Sequence, residues 1–260
     1  MGYWMDWNNP QTFSEKLQWL KIYDRHPEYT KLVDKATVKD YVASIIGQQY
    51  IIPTLAVYDS AEEIDFDVLP NQFVLKCTHD SGGIIICRDM TKLDKAAAIK
   101  KLKKGLKRTY VIQNREYPYK NVPRRIIAEK YINGDNESDL KDYKFFCFNG
   151  RVECCQVISN RSSKMTVDFY DKAWNHQPFH EPKNFQFSNV PIQRPDNYSE
   201  MWNLAEVLSK NYSFIRVDLY NVRGRIYFGE LTFFPTTGMG GFDPQEWDLL
   251  FGQMIELPKK

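Results

Sequence analysis

Apolar positions near the start of the chain recur at helical spacing. Leu17, Leu20 and Tyr23 share one face of a helix over residues 15–23, which Thr12 or Ser14 can cap. A second helix is predicted from Lys35 to Ile46, with Gly47 as its stop. The period then shortens. Residues 51–57 and FVLKC at 73–77 read as short strands, with an acidic helical segment near 61–66 between them. The polar, glycine-bearing loop THDSGG (78–83) leads into a strand at 84–87, and Thr91 is placed to cap a helix over 92–108. IIAEKYI (126–132) reads as a strand ending in a hinge. Residues 143–149 alternate and stop at Asn149-Gly150, the signal for a tight hairpin, and 152–159 is the returning strand. A strand at 165–171 and a Pro- and Asn-rich loop at 173–197 follow, then a helix over 199–208. The tail predicts a second hairpin (214–220 and 225–231), a glycine-rich loop (235–241) and a short helix (244–254). Helices followed by antiparallel strands argue for the α+β class rather than a doubly wound parallel sheet.

Composition narrows this picture. At 260 residues and 43% hydrophobic, the chain can bury one sizeable core or two small ones. The net charge of +2 leaves no nucleic-acid footprint. One local exception is the basic stretch KAAAIKKLKKGLKR (95–108). It reads as a solvated helix face, or more sharply as a surface for an anionic lipid-linked or phosphorylated partner. The five cysteines have no CxxC spacing and sit mostly in apolar runs, a reduced, cytoplasmic usage. No run reaches the ~18 apolar residues that span a bilayer, so the expected location is the cytoplasm, peripheral at most to the inner face of the membrane.

Three features carry candidate chemistry. In SFIRVDLYNVRGRIYFGELTFFP, Arg216 and Asp218 alternate with apolar neighbours and share a strand face, and Glu230 lies on the returning strand. Two carboxylates brought together repel unless a cation lies between them, and hard oxygen ligands on few side chains suit magnesium. The bland alternative is a surface hairpin with cross-strand Arg–Glu pairs. Secondly, Lys76 ends an apolar strand, where an unpaired ammonium is costly to bury, and Ser81, Gly82 and Gly83 follow. Glycine backbone can approach phosphate oxygens closely. The spacing is neither a P-loop nor GxGxxG, and an ordinary hairpin turn is the alternative. Thirdly, the apolar strand ending in Glu129, Lys130, Tyr131 and Ile132 can line an adenine slot, or simply leave the core.

In this order the features resemble the nucleotide site of ATP-grasp enzymes, and more closely the TupA-like branch, associated with bacterial surface polysaccharides and teichuronopeptide. The motifs are NPQTFSEKLQWLKIYDR, LVDKATVKDYV, FVLKCTHDSGG, IIAEKYI, DYKFFCFNG, DFYD…W and FIRVDLY…GELTFFPTTGM, spread from Asn9 to Trp247. The resemblance implies two α+β lobes clasping ATP behind a short helical segment: residues 1–70 as that segment, 71–128 as the small lobe and 129–260 as the large lobe. It implies that Lys35 and Lys76 face phosphates, that Ser81, Gly82 and Gly83 close over them, and that Glu129, Lys130, Tyr131 and Ile132 form the adenine hinge. Asp142, with Glu137 as rival, takes the ribose, and Lys144 shares its strand face. Asp218 and Glu230 hold Mg2+, and Arg216 stabilises an acyl-phosphate step. Thr232 stands where many relatives place a metal-binding Asn, which leaves one or two magnesium ions open. Acceptor contacts fall to Arg161, Lys164 and the loop containing Thr236, Thr237 and Gly238. His79 is a candidate proton acceptor or an ordinary surface histidine.

The implied activity is an ADP-forming carboxylate–amine ligase. It would join an amine or amino acid to a sugar carboxylate, free or linked to a nucleotide or lipid, as a monomer or homodimer. Rival readings are a glycosyltransferase, an ATP-dependent glycan kinase and a non-catalytic nucleotide-binding subunit.

Overall fold

The computed structural model describes residues 2–132, 140–161, 163–182 and 186–259. In chain order the elements are α1 (Phe13–Tyr23), α2 (Tyr29–Val33), α3 (Val38–Ile46), β1 (Thr54–Tyr58), β2 (Phe73–Cys77), β3 (Ile84–Cys87), α4 (Lys95–Leu106), α5 (Tyr110–Asn114) and β4 (Ile126–Lys130). Then come β5 (Asp142–Phe148), β6 (Arg151–Ser159), β7 (Thr166–Tyr170), α6 (Tyr198–Ser209), β8 (Phe214–Val222), β9 (Arg225–Thr232) and α7 (Glu246–Met254). Two compact units result. One is drawn from His26–Ser44 and Ile51–Ile132, the other from Met1–Arg25, Ile45–Tyr50 and Asn133–Lys260. Residues 1–70, set apart by sequence as an N-terminal segment, are thus shared between the units.

The smaller unit is an antiparallel sheet of order β1-β4-β2-β3. Alternation along β2 sends Phe73, Leu75 and Cys77 to one face, where they form a core with Ile126, Ala128 and Leu102 of α4. Val74 and Lys76 therefore point to the opposite face, together with Ile127 and Glu129 of β4.

The larger unit is an antiparallel sheet of order β7-β6-β5-β8-β9. One face packs on α6, with the Phe145 ring 6.0 Å from Tyr198 and 6.1 Å from Trp202. The other face is divided. At one end Phe146, Phe148 and Phe214 join Phe13 of α1 and Phe251 of α7 in a continuous ring cluster. Farther along the same strands the face turns polar, with Asp142, Lys144, Gln156 and Asp218 all buried.

Several local expectations are refined. Thr12 caps α1 in a reciprocal box with Glu15, while Ser14 donates instead to Asp248 (3.2 Å). Lys35 lies on the turn before α3, not in a helix. Asp34, 1% exposed, turns the chain there by accepting from the Ala36 amide (3.0 Å) and Arg125 (2.9 Å). Asp94 rather than Thr91 caps α4, by accepting from the Ala97 amide (2.8 Å), because Thr91 is engaged by Asp89 in a preceding 3-10 turn. The acidic segment is a 3-10 turn over Ala61–Glu63, and α5 was not anticipated. The Asn149-Gly150 turn forms as expected, with φ of 48° and 80°. The motif DFYD…W is structural. Trp174 stacks on Tyr170 at 4.1 Å, and Asp171 accepts from the Asn175 amide (2.8 Å). Among the described residues no helix is long and apolar enough to cross a membrane.

Candidate functional site

In the larger unit the polar face gathers around Asp218. Strand register sets Asp218 opposite Lys144 of β5 and Glu230 of β9, and Arg216 opposite Thr232. Arg216 grips Asp218 with two bonds, Nε to Oδ1 at 2.7 Å and Nη2 to Oδ2 at 2.8 Å. Its Nη2 also lies 3.4 Å from Glu230 Oε1 and donates to Thr232 Oγ1 at 3.1 Å. Thr232 in turn donates to Glu230 Oε1 (3.2 Å), and Lys144 pairs with Asp218 Oδ2. Burial disfavours the Arg216 cation, but Asp218 outweighs it, with Glu230 and Glu181 adding, and its pKa is raised. Five residues singled out from the sequence (Lys144, Arg216, Asp218, Glu230 and Thr232) are therefore one bonded cluster.

A β-bulge makes that cluster. Leu219 pairs with Phe228, but Asp218 pairs with Glu230, so Gly229 is an extra residue on β9. Regular pairing from the turn would set Gly229 opposite Asp218 and leave Glu230 opposite Val217 on the buried face. A Cβ at Gly229 would lie 3.0 Å from the Asp218 carbonyl oxygen and 3.1 Å from the Tyr220 ring. Glycine is needed for that close approach.

The donor set fits magnesium in part. Among the described residues no group of three or more His, Cys, Asp or Glu is arranged to hold a metal. Two carboxylates and a hydroxyl on one face nevertheless match an ion that keeps several waters and takes phosphate oxygens. Asp218 already faces two cations, so Glu230, with 39% of its side chain exposed, is the more accessible carboxylate.

Two further groups lie near this cluster. Asp142 accepts from Arg161 Nε at 2.5 Å, which engages the Arg proposed for an acceptor carboxylate with the acid proposed for ribose. Glu137 lies outside the described residues. Sequence reasoning missed Gln156, which sits opposite Lys144 and donates to Glu181 Oε2 (2.9 Å). The β5–β6 register slips between Phe146 and Cys147, so counting from the Asn149-Gly150 turn would have set Cys155 opposite Lys144 and left Gln156 on the other face. Lys164 is exposed. In the loop after β9, Thr236, Thr237 and Gly238 all adopt positive φ (50°, 57° and 66°), which is strained for two β-branched residues. Gln18 of α1 holds the loop by donating to the Thr237 (3.1 Å) and Gly238 (2.8 Å) carbonyls, and Lys21 also bonds Thr237.

In the smaller unit Lys76 and Glu129 form one group. Glu129, 4% exposed, pairs through Oε2 with Lys76 Nζ at 2.6 Å and also with Lys39 of α3. Lys39 was missed because a single Lys in a helix reads as a solvated position. Burial opposes ionisation of Glu129, but the Lys76 and Lys39 ammoniums outweigh it and hold the carboxyl below its usual range. Burial, with Lys76 nearby, lowers the Lys39 pKa despite the pull of Glu129. Committed to these lysines, the Glu129 side chain leaves only backbone for an adenine hinge. Lys130, Tyr131 and Ile132 follow it along the chain, and the Lys130 amide already donates to the Pro53 carbonyl (3.0 Å).

The loop 78–83 is closely tied down. The Lys35 amide donates to the Thr78 carbonyl (3.2 Å), and Lys35 Nζ to the Asp80 carbonyl (2.7 Å). The Gly82 and Gly83 amides both donate to Asp80 Oδ1 at 3.0 Å. These amides, expected to be available to phosphate, are thus taken by a neighbouring carboxylate. Ser81 at the loop tip is exposed. His79 is no surface residue. It is 3% exposed, its Nε2 lies 3.2 Å from the Arg108 carbonyl, and burial lowers its pKa.

The two antiparallel sheets with their helices, the lysine-bearing strand before a glycine loop, and the carboxylate hairpin define an ATP-grasp fold. The TupA-like ATP-grasp description matches residues 15–256, and the chain belongs to that family. No curated protein sequence matches it. Solved structures similar to it include D-alanine–D-alanine ligase from Bacillus anthracis complexed with ATP, at 16% identity and TM-score 0.47 over 86% of this chain and 63% of that one. Another is L-amino acid ligase from Bacillus licheniformis, at 13% identity and TM-score 0.47, covering 84% of this chain and 47% of that one. A third is the ATP-grasp ligase PsnB complexed with minimal precursor, at 11% identity and TM-score 0.44, covering 85% and 60%. The chain therefore spans less than two thirds of the length of each of these three structures.

Proposed function

We propose that this chain is an ADP-forming carboxylate–amine ligase that activates the carboxylate of a uronic acid in a bacterial surface-polysaccharide precursor and joins it to an amine or amino acid. The observation that carries this reading is the Lys144–Asp218–Arg216–Glu230–Thr232 cluster on one sheet face, in a chain of the ATP-grasp family. In the proposed reaction the substrate carboxylate attacks the γ-phosphorus of ATP, the bond to the bridging oxygen breaks, and ADP leaves. The amine nitrogen then attacks the acyl carbon, phosphate departs with the carbon–oxygen bonding pair, and the nitrogen loses a proton to give the amide. Arg216 and Lys144 stabilise negative charge on the transferred group, fixed in advance by Asp218. Lys35, Lys76, Ser81, Gly82 and Gly83 contact the polyphosphate. The 129–132 backbone meets the adenine and Asp142 the ribose. Asp218 and Glu230, with Thr232, would hold magnesium, which when bound neutralises polyphosphate charge. Arg161, Thr236, Thr237 and Gly238 are left to contact the acceptor. A lipid-linked acceptor would bring the protein to the inner face of the membrane.

The test is ADP release with MgATP and a panel of uronic acids and amino acids, with hydroxylamine included to trap an acyl phosphate. Hydroxamate and amide detected by mass spectrometry are expected. A stable phosphorylated sugar would instead establish a kinase, and release of UDP from a sugar nucleotide would establish a glycosyltransferase. Glu230→Gln should abolish magnesium-dependent turnover with little loss of fold. Full activity in that variant would sink the metal assignment. Asp218→Asn is the poorer probe because it also strips Lys144 and Arg216 of their partner.

A further inference from the structure

We propose that Arg108 is a phosphoryl ligand of the nucleotide, and that Asp80 holds its place as an internal anion that phosphate must displace. This rests on the nucleotide reading above and adds to it a ligand from α4's C-terminal turn and a built-in competitor. Four donors surround Asp80. The Gly82 and Gly83 amides lie 3.0 Å from its Oδ1, Arg108 Nη1 lies 3.3 Å from its Oδ2, and Lys35 Nζ donates to its carbonyl at 2.7 Å. Asp80 is only 3% exposed, while the Arg108 side chain is 40% exposed and reaches the carboxylate from the solvent side.

The cradle depends on bare backbone. A Cβ on Gly82 would stand 2.2 Å from Arg108 Nη1, so the guanidinium rests against the glycine. A Cβ on Gly83 would stand 2.7 Å from Cys77 Sγ and 3.3 Å from Asp80 Oδ1. The guanidinium and two amide dipoles face one carboxylate, and Lys35 lies on the backbone carbonyl of the same residue, so net positive charge remains with Asp80 in place. Amides and a guanidinium fork are also the donors that phosphoryl oxygens select, and a phosphoryl group offers more oxygens and more charge than a carboxylate. Exchange of the two anions on the Arg108, Gly82 and Gly83 donors requires the Asp80 side chain to rotate away from them. The alternative is that Asp80 and Arg108 merely brace the loop.

Calorimetry of the whole protein with MgATP and with inorganic tripolyphosphate separates these. Losing a charge-assisted bond should weaken tripolyphosphate binding on the order of tenfold or more in Arg108→Met, with Arg108→Lys intermediate. Asp80→Asn keeps an acceptor for the amides but loses the competing charge, and should tighten binding. Thermal unfolding checks that each variant is folded, and Arg108→Met, at a half-exposed position, serves if Asp80→Asn is not. The proposal is overturned if Asp80→Asn weakens tripolyphosphate binding in step with Arg108→Met, or if Arg108→Met binds like the wild type. Wild-type protein that binds MgATP while both variants match it would sink this inference alone. Wild-type protein that binds no MgATP would sink the nucleotide reading and this inference with it.

Discussion

A carboxylate as buried as Glu129 stays charged because Lys39 and Lys76 lie against it. Glu129→Gln would leave two ammoniums without their counter-charge, and breaking a buried pair in this way costs about 3–5 kcal/mol. Lys39→Met leaves Lys76 on Glu129 and should cost less. Urea denaturation reads both, and an equal, small loss in the two variants would show that the triad does not hold charge together. The pH dependence has a definite sign. Glu129 is held below its ordinary pKa of 4.5, so its contribution is present above that value and lost as pH falls through the folded pKa. Glu129→Gln should lack that acid-side loss. The sequence flagged Glu129 as part of an adenine hinge and did not flag the two ion pairs of its side chain. Strand alternation shows that Glu129 and Lys76 can share a face. Nothing local shows that Lys39, in a helix ninety positions earlier, ends on the same carboxylate.

At the scale of elements, the β8–β9 hairpin decides whether two carboxylates meet. Its strands are plain in the sequence from the apolar alternation and the turn at residues 221–224. The bulge is not, because period-2 counting from that turn puts Glu230 on the wrong face. Gly229 is its one local signal, a glycine inside a strand pattern. Gly229→Val should press a side chain into the Asp218 backbone and the Tyr220 ring. Overpacking of this kind costs about 1–3 kcal/mol. It should also shift Asp218 away from Glu230 and raise the magnesium concentration needed for turnover. Thermal unfolding and a magnesium titration measure the two effects separately. A stable variant with an unchanged magnesium requirement would show that the bulge does not set the site. Strands β2 and β3 were legible to the residue, whereas the start of α4 slipped to Asp94 because Asp89 competes for Thr91.

At the scale of the whole molecule, the chain crosses between its two units within the first fifty residues. Apolar positions in α1 and α2 look alike in the sequence, yet α1 joins the ring cluster of one unit while α2 belongs to the other. Periodicity reports which face is buried and not against what. The cysteines give a way to follow the units apart, since Cys77 and Cys87 lie in one and Cys147, Cys154 and Cys155 in the other, all free and buried. Burial pushes the Cys77 thiol up to about 11 and the Cys147 thiol up to about 12, and Cys87, Cys154 and Cys155 are raised as well. Since the thiolate is the reactive form, native protein at pH 8 should resist iodoacetamide, and denatured protein should gain five adducts. In intermediate urea, peptide mapping should show Cys77 and Cys87 labelled together, as a set distinct from the other three, if each unit opens as a cooperative whole. The same shifts fix an alkaline limit. Once pH passes the unfolded thiol pKa near 9, the unfolded chain loses protons that the folded one keeps, so stability must fall as pH rises toward the folded values. Replacing Cys77 and Cys147 with Ala should flatten that fall at some cost in packing. An unfolding free energy with the same alkaline slope in both proteins would show that these two thiols are not its source.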